Sequence, residues 1–309
     1  MPGLTRTPTR GLWGDLVVLH RLEHPLPVMY VCYASWGACY ATGDVRGLLH
    51  PPVLLAILAN LLLLIGGLAL NNIVDVPTDR QHKDKAYLSS AALRVGEQKA
   101  LWLALTETAA GLILSIVVSV VTGRWIVAAM ALGIALLHVL YNVRPVRLKG
   151  RGLAGSIAFG LSVVALPSLL SHGAVSQTLP GWVLAVLAGA SVLAVGRTVW
   201  WSAPDRAADL ISGVATPAAR YGVPRTLVLS CLILLSGLVL LGGGLWAHFG
   251  FVTVVAGALA HAVFTGTAVF QLLRATRGIA PTASAMRRHA LLLVLAGELS
   301  IALVPLLAS

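Results

Sequence analysis

Long apolar segments separated by short polar stretches run along almost the whole chain of 309 residues. Each segment approaches the length of about 20 residues that a helix needs to cross roughly 30 Å of hydrocarbon. The pattern therefore predicts an all-α, polytopic membrane protein with about nine transmembrane helices. The nine segments lie at 26–43, 52–72, 98–121, 125–142, 153–171, 181–202, 226–246, 249–272 and 288–307.

The N-terminal region precedes the first of these segments. Residues 1–13 are small and polar, which predicts a disordered tail, and residues 15–23 are typical of a short amphipathic helix that Pro25 stops. No linker or shift of composition divides the remaining chain, so we expect 14–309 to form a single domain.

Composition and charge identify the class of protein and its orientation. Hydrophobic residues make up 58% and charged residues only 11% of the chain, whereas soluble domains have about 25% charged residues. The net charge of +11 is spread over short loops, which indicates membrane topology and an anionic substrate rather than nucleic acid. No feature implies an obligate protein partner.

The basic residues favour one side of the membrane. Of the 22 Lys and Arg residues, 19 lie in the N-terminal tail or near the loops after the second, fourth, sixth and eighth segments, and the opposite loops hold only Arg46 and Arg124. By the positive-inside rule, we expect a cell-membrane protein whose N-terminus and polar loops are cytoplasmic, with Ser309 outside.

Three oxygen-bearing side chains follow one another where the second segment ends. Asn71, Asp75 and Asp79 are spaced i, i+4 and i+8, which places them on one helix face about one turn apart. Carboxylates in a row repel at a membrane edge unless a cation neutralises them, and Mg²⁺ prefers such hard oxygen ligands. The alternative is a solvated loop with a helix cap.

A second acidic pair follows the sixth segment. Asp205 and Asp209 are again spaced i, i+4, and Pro204 fits the first turn of a new helix. Two such pairs suggest a site for two metal ions, or one metal cluster, facing a diphosphate. The alternative is two unrelated loop pairs.

A basic loop lies between the two pairs, where four cations and no anion occupy residues 144–151. Ordinary positive-inside charge accounts for Arg151. The cations suited to hold diphosphate oxygens are Lys83, Lys85, Arg144, Arg147, Lys149 and Arg206.

Three ionisable residues fall within the apolar segments. For Glu107 and Glu298 we expect inward-facing groups with polar partners, although a group at this depth is also a functional candidate. Arg197 lies two turns before Asp205, from where it reaches either a diphosphate or a carboxylate.

These motifs resemble those of the UbiA superfamily of intramembrane prenyltransferases. The resemblance covers residues 21 to about 305. Three stretches carry it: Asn71-Asn72-Ile73-Val74-Asp75-Val76-Pro77-Thr78-Asp79, the Tyr141 to Lys149 loop, and Asp205-Arg206-Ala207-Ala208-Asp209 with the Gly213 to Gly222 tail that contains Thr216.

The resemblance implies nine helices around a central, lipid-accessible cavity and a Mg²⁺-dependent transfer of a prenyl group. The prenyl diphosphate ionises to an allylic carbocation, which alkylates an aromatic or lipid-like acceptor. A terpene cyclase of the same superfamily needs the same metal site and no acceptor, and it remains an alternative. A transporter or channel accounts for the helices but not for the paired aspartates.

The resemblance also implies residue roles. Asn71 is a further diphosphate contact besides the six cations. The catalytic residues are the four aspartates, and the metal ligands are Asn71, Asp75, Asp79, Asp205 and Asp209.

The chain departs from the family pattern at several positions. Asn72 stands where the family usually has Asp, and Ser202 where it commonly has another Asp. Residues 84–88 replace a Pro-x-Arg-Pro-Leu run. The site is therefore less acidic than usual, which leaves the number of metal ions and the acceptor open.

Overall fold

A computed structural model of the protein describes residues 11–80, 86–279 and 281–308, except for the side chains of residues 287–289. Within these residues the fold is built from helices, which confirms the all-α prediction. Numbered in chain order they are α1 (Leu12–Leu19), α2 (Leu26–Thr42), α3 (Val45–Leu48), α4 (Pro51–Val74), α5 (Val76–Asp79), α6 (Ala86–Val95), α7 (Glu97–Thr122), α8 (Ile126–Asn142), α9 (Leu153–Gly160), α10 (Leu166–Gly173), α11 (Gly181–Ile211), α12 (Pro217–Tyr221), α13 (Val223–Phe249), α14 (Phe251–Thr276) and α15 (Ala283–Leu307).

Seven helices of the described chain are long and apolar enough to cross a membrane: α4, α7, the continuous run Leu153–Gly173, α11, α13, α14 and α15. The run Leu153–Gly173 joins α9 to α10 through a π-helical turn at Leu161–Ala165. The other two predicted segments form α2 and α8, each of only 17 residues. At 1.5 Å per residue they reach about 26 Å. A multi-pass membrane protein is therefore confirmed, and the count of nine spans is not.

Large apolar side chains on the outer faces of the long helices agree with a lipid environment. Water would penalise so many exposed hydrocarbon groups, whereas lipid tails do not. Examples that are more than half exposed are Ile113, Val120, Leu132, Val239 and Leu292.

Close packing of α11 against α13 fixes the helix that carries the second acidic pair. A Cβ atom on Gly189 would lie 2.4 Å from the backbone nitrogen of Leu241, and one on Gly237 would lie 2.9 Å from that of Leu193. Only glycine lets the two backbones approach this far, as in other small-residue helix contacts within membranes.

Two ion pairs, one from the N-terminal helix α1 and one from the residue that follows it, tie this segment to the bundle. Asp15 is buried and meets Arg94 of α6 at 2.6 Å, and His20 Nε2 lies 2.9 Å from Glu107 Oε1 of α7. The helix begins at Leu12, inside the tail predicted at 1–13, and residues 1–10 lie outside the described part.

An ion pair also lies inside the bundle. Arg197 Nη2 of α11 is 2.6 Å from Glu298 Oε1 of α15, whose side chain is fully buried. From α2, Tyr33 donates its hydroxyl to the same carboxylate at 3.1 Å, and Trp36 donates its indole N–H to the Glu298 backbone carbonyl. The sequence predicts either a diphosphate or a carboxylate as the partner of Arg197, and in the structure the partner is the Glu298 carboxylate.

Candidate active site

The first acidic motif keeps its helical spacing although the helix is interrupted. α4 ends at Val74, and Asp75 caps it before α5 begins. Backbone hydrogen bonds still run from Asp75 N to Asn71 O at 3.0 Å and from Asp79 N to Asp75 O at 2.8 Å. The three side chains therefore remain one turn apart, as the sequence predicts.

The Lys149 ammonium lies among three oxygen atoms beside this motif. Its Nζ is 2.7 Å from Asp75 Oδ1, 3.1 Å from Asn71 Oδ1 and 3.0 Å from Asn142 Oδ1. Burial lowers the pKa of Lys149 below its usual value, while the Asp75 carboxylate acts in the opposite direction. Loop 143–152 thus contacts the first motif directly, through a charged side chain.

Arg147 supplies a second cation to the same carboxylate. Its Nη2 lies 3.3 Å from Asp75 Oδ1, and its backbone φ of 39° is unusual for a residue with a side chain. Its Nε is buried and has no acceptor among the described residues. A buried guanidinium N–H without an acceptor is costly, and an anionic ligand oxygen would satisfy it.

The same basic loop contacts the region of the second motif. Gly152 N donates to Ala215 O at 2.7 Å, and Arg151 and Ala215 form an isolated parallel β-bridge. Ala215 belongs to the 213–222 tail. Loop 143–152 therefore connects both aspartate regions on one side of the bundle.

The prediction that Pro204 starts a new helix is wrong. α11 continues from Gly181 to Ile211 with Pro204 inside it. Proline costs one backbone hydrogen bond in a helix interior, and long helices of membrane bundles tolerate this loss. Asp205 and Asp209 consequently lie on the same rigid helix as the buried Arg197.

Asp209 is the more buried residue of the second pair, and a threonine holds it. Its side chain is 7% exposed, and its Oδ2 accepts a 2.7 Å hydrogen bond from Thr216 Oγ1. Thr216 also caps the N-terminus of α12 by accepting from Ala219 N. Asp205 is partly exposed on the preceding turn.

The two residues that replace acids of the family pattern serve packing. Asn72 is fully buried, donates to Leu19 O at 2.6 Å and accepts from Arg21 Nη2 at 2.9 Å. It therefore anchors the segment after α1. Ser202 donates to Val199 O of its own helix at 2.7 Å.

The structure does not gather all the predicted site residues. Arg144 and Arg206 are exposed, and Lys83 and Lys85 lie outside the described residues. In the described part of the chain, no group of three His, Cys, Asp or Glu side chains is arranged to hold a metal ion. The oxygens of Asn71 and Asp75 nevertheless converge on one cation, and this donor chemistry fits Mg²⁺.

Three contacts of the site escape sequence reasoning. Asn142 lies in the Tyr141 to Lys149 loop, but nothing in its position indicates that it faces Lys149 from the end of α8. Thr216 lies in the Gly213 to Gly222 tail, and the sequence gives no sign that it donates a hydrogen bond to Asp209. Arg21 reaches Asn72 only because the chain folds α1 back onto α4.

The comparisons with known proteins agree with this geometry. The sequence model of the UbiA prenyltransferase family matches residues 30–295. Because the match spans most of the chain, the protein belongs to this family. The comparison with curated proteins gives no match.

Solved structures share the fold at low sequence identity. A UbiA homolog from Archaeoglobus fulgidus bound to GPP and Mg²⁺ is 18% identical, with a TM-score of 0.65 over 93% of this chain and 97% of that one. A UbiA homolog from Aeropyrum pernix K1 in its apo form is 19% identical, with a TM-score of 0.65 over 89% and 94%. A digeranylgeranylglyceryl phosphate synthase structure is 16% identical, with a TM-score of 0.63 over 95% and 98%.

Proposed function

We propose that this member of the UbiA prenyltransferase family transfers a prenyl group from a prenyl diphosphate to an aromatic or lipid-like acceptor in the membrane. One observation carries the proposal. Arg147 and Lys149 both contact the carboxylate of Asp75, so two side-chain cations lie together beside the first acidic motif. The Arg147 Nε has no acceptor in the described structure, which suits an anionic group with several oxygens.

Each side chain has a role in the proposed reaction. Lys149 and Arg147 donate to the diphosphate oxygens and stabilise the pyrophosphate that leaves with the electron pair of the C1–O bond. The remaining allylic cation takes an electron pair from the acceptor, which then loses a proton. Asn71, Asp75, Asp79, Asp205 and Asp209 would hold Mg²⁺. When bound, Mg²⁺ neutralises phosphate charge and makes pyrophosphate a better leaving group.

The bound ligands of family members support this assignment. The Archaeoglobus fulgidus homologs were solved with GPP or DMAPP together with Mg²⁺. At 16–18% identity they share the fold with this chain. The transfer to this chain therefore depends on the matching motifs and on the cluster around Asp75.

The test is incubation of the purified protein with Mg²⁺ and prenyl diphosphates of increasing length, with and without cell extract. Prenylated products that need extract support transfer to an acceptor. Products formed without extract indicate the terpene cyclase instead. If no pyrophosphate is released under any condition, the enzyme assignment is wrong and a transporter becomes the better explanation.

We also propose that loop 143–152 and both acidic motifs face the cytoplasm. The asymmetry of Lys and Arg supports this orientation. The three natural cysteines are buried, so an Arg144→Cys variant provides one exposed thiol. We expect an impermeant thiol reagent to leave it unlabelled in intact cells and to label it after lysis. Labelling from outside would reverse the topology.

A further inference from the structure

The first acidic motif already holds a positive charge that belongs to the chain. Three oxygens, from Asn71, Asp75 and Asn142, lie 2.7 to 3.1 Å from Lys149 Nζ. The Lys149 side chain is only 10% exposed. The arrangement is an all-oxygen cation site that the ammonium fills.

Two of these oxygens belong to the ligands proposed for Mg²⁺. Magnesium binds oxygen at about 2.0–2.1 Å in a strict octahedral geometry. An ion that bound Asn71 Oδ1 and Asp75 Oδ1 from the side where Nζ lies would therefore overlap with the ammonium. The two cations also repel each other, and Arg147 on the same carboxylate oxygen adds to this repulsion. Metal and ammonium thus exclude each other at these two oxygens.

We infer, on the premise of the proposed function, that Lys149 is a built-in counter-ion that keeps metal out of the first motif until a diphosphate arrives. A diphosphate carries more negative charge than the Asp75 carboxylate and draws the ammonium towards its own oxygens. The flexible stem of lysine allows this movement, and its charge acts as a point contact on either partner. Metal consequently enters together with the diphosphate rather than before it.

The neighbouring arginine indicates where the diphosphate lies. Arg147 Nη2 contacts Asp75 while the buried Nε lacks an acceptor within the described chain. A phosphate oxygen bound to Nε would lie beside the carboxylate that Lys149 also contacts. The ammonium therefore needs only a side-chain rotation to exchange Asp75 for phosphate.

Metal binding without turnover tests this order. The full-length protein in detergent is titrated with Mn²⁺, and free Mn²⁺ is measured by electron paramagnetic resonance. In the absence of diphosphate, we expect Lys149→Gln and Lys149→Met to bind Mn²⁺ at least about tenfold more tightly than the wild type. Methionine is included because the amide oxygen of glutamine is itself a metal ligand. Inorganic pyrophosphate should raise the Mn²⁺ affinity of the wild type by a similar factor, after correction for the Mn²⁺ that the same pyrophosphate binds in a titration without protein.

The matched control is Arg151→Gln. It removes one positive charge from the same loop, but Arg151 is exposed and its guanidinium donates to the backbone oxygen of Pro145. We expect its Mn²⁺ affinity to stay within about twofold of the wild type. If Lys149→Met binds Mn²⁺ no more tightly than Arg151→Gln, Lys149 does not exclude metal and the inference is wrong.

The outcomes separate this inference from the proposed function. Wild-type protein that binds Mn²⁺ equally well with and without pyrophosphate contradicts the binding order but keeps the metal site. Absence of Mn²⁺ binding in every variant, with pyrophosphate present, overturns the proposed function and this inference with it.

Discussion

Two clusters of opposite charges lie in different surroundings in this protein. At the membrane edge, Asp75 meets Arg147 and Lys149, and the three side chains are 10–20% exposed. Inside the bundle, Glu298 meets Arg197, and their side chains are 0% and 7% exposed. At the edge two cations contact one carboxylate, whereas inside the bundle one cation contacts one carboxylate.

The difference separates a ligand site from a structural contact. The two adjacent cations and the Arg147 Nε, which has no acceptor among the described residues, favour an anionic ligand at the edge. At the inner pair, Tyr33 donates to the carboxylate oxygen that Arg197 also contacts, and Trp36 donates to the Glu298 backbone carbonyl, so the pair joins α2, α11 and α15. Removing a member of the edge cluster should therefore impair chemistry, and removing a member of the inner pair should impair stability.

The largest effect is expected for the edge carboxylate. Asp75→Asn keeps the shape of the side chain but removes the charge that metal and cations share. We expect pyrophosphate release to fall by at least about a hundredfold, with a melting temperature near that of the wild type. Asp209→Asn in the second motif should behave alike. Near-normal turnover with ordinary Mg²⁺ dependence in either variant would contradict the assigned site.

The inner pair should show the opposite behaviour. Glu298→Leu leaves the Arg197 guanidinium buried without its counter-ion, which costs roughly 3–5 kcal/mol. We expect a clear loss of stability against denaturant in detergent. Turnover of the molecules that remain folded should change much less.

A double variant provides the control for this prediction. Arg197→Met combined with Glu298→Leu removes both charges, and well-packed apolar groups can replace a buried pair at little cost. Stability should therefore recover. A double variant that is stable but inactive would break the comparison, because the inner pair would then take part in the reaction.

The two clusters also differ in how far the sequence predicts them. The spacing of Asn71, Asp75 and Asp79 survives because helical periodicity is a local property. The Arg197–Glu298 contact joins residues about a hundred positions apart, and no local pattern determines which helices become neighbours. The sequence predicts a partner for each buried charge because an unpaired one is too costly, but it does not identify that partner.

Local rules also fail where tertiary packing overrides them. Pro204 suits a helix start in isolation, yet α11 continues through it to Ile211. Asn72 has a residue type that suits a ligand, but the fold directs it to Leu19 and Arg21. At both positions distant contacts, rather than the local sequence, decide the structure.

A smaller change sharpens the account of the edge cluster. Arg147→Lys keeps the charge but loses the planar guanidinium. In the wild type, one nitrogen of this group contacts Asp75 while Nε is left to bind a ligand. We expect kcat/KM for the prenyl diphosphate to fall roughly tenfold, which corresponds to a loss of about 1.4 kcal/mol of transition-state stabilisation. Steady-state kinetics measures this change. Arg151→Lys is the matched control in the same loop, and equal effects of both exchanges would show that the guanidinium fork of Arg147 has no specific role.

The smallest effect is expected at His20, which forms an ion pair with Glu107; their side chains are 8% and 17% exposed. Burial lowers the pKa of His20, but the hydrogen bond and charge of Glu107 outweigh burial and raise the pKa above its usual value of 6.5. Folding therefore favours the protonated imidazole. The pair stabilises the fold fully below pH 6.5, and this contribution disappears as the pH rises through the raised pKa.

The stabilisation of a partly exposed ion pair is about 1 kcal/mol at most, so the comparison with a His20→Gln variant is needed to detect it. Glutamine keeps a donor for Glu107 but does not titrate. We expect the wild type to melt a few degrees above the variant at pH 5.5 and at the same temperature at pH 9. If the difference grows as the pH rises, neutral imidazole is the stabilising form. In that case the pair acts as a hydrogen bond inside the protein rather than as an ion pair at its edge.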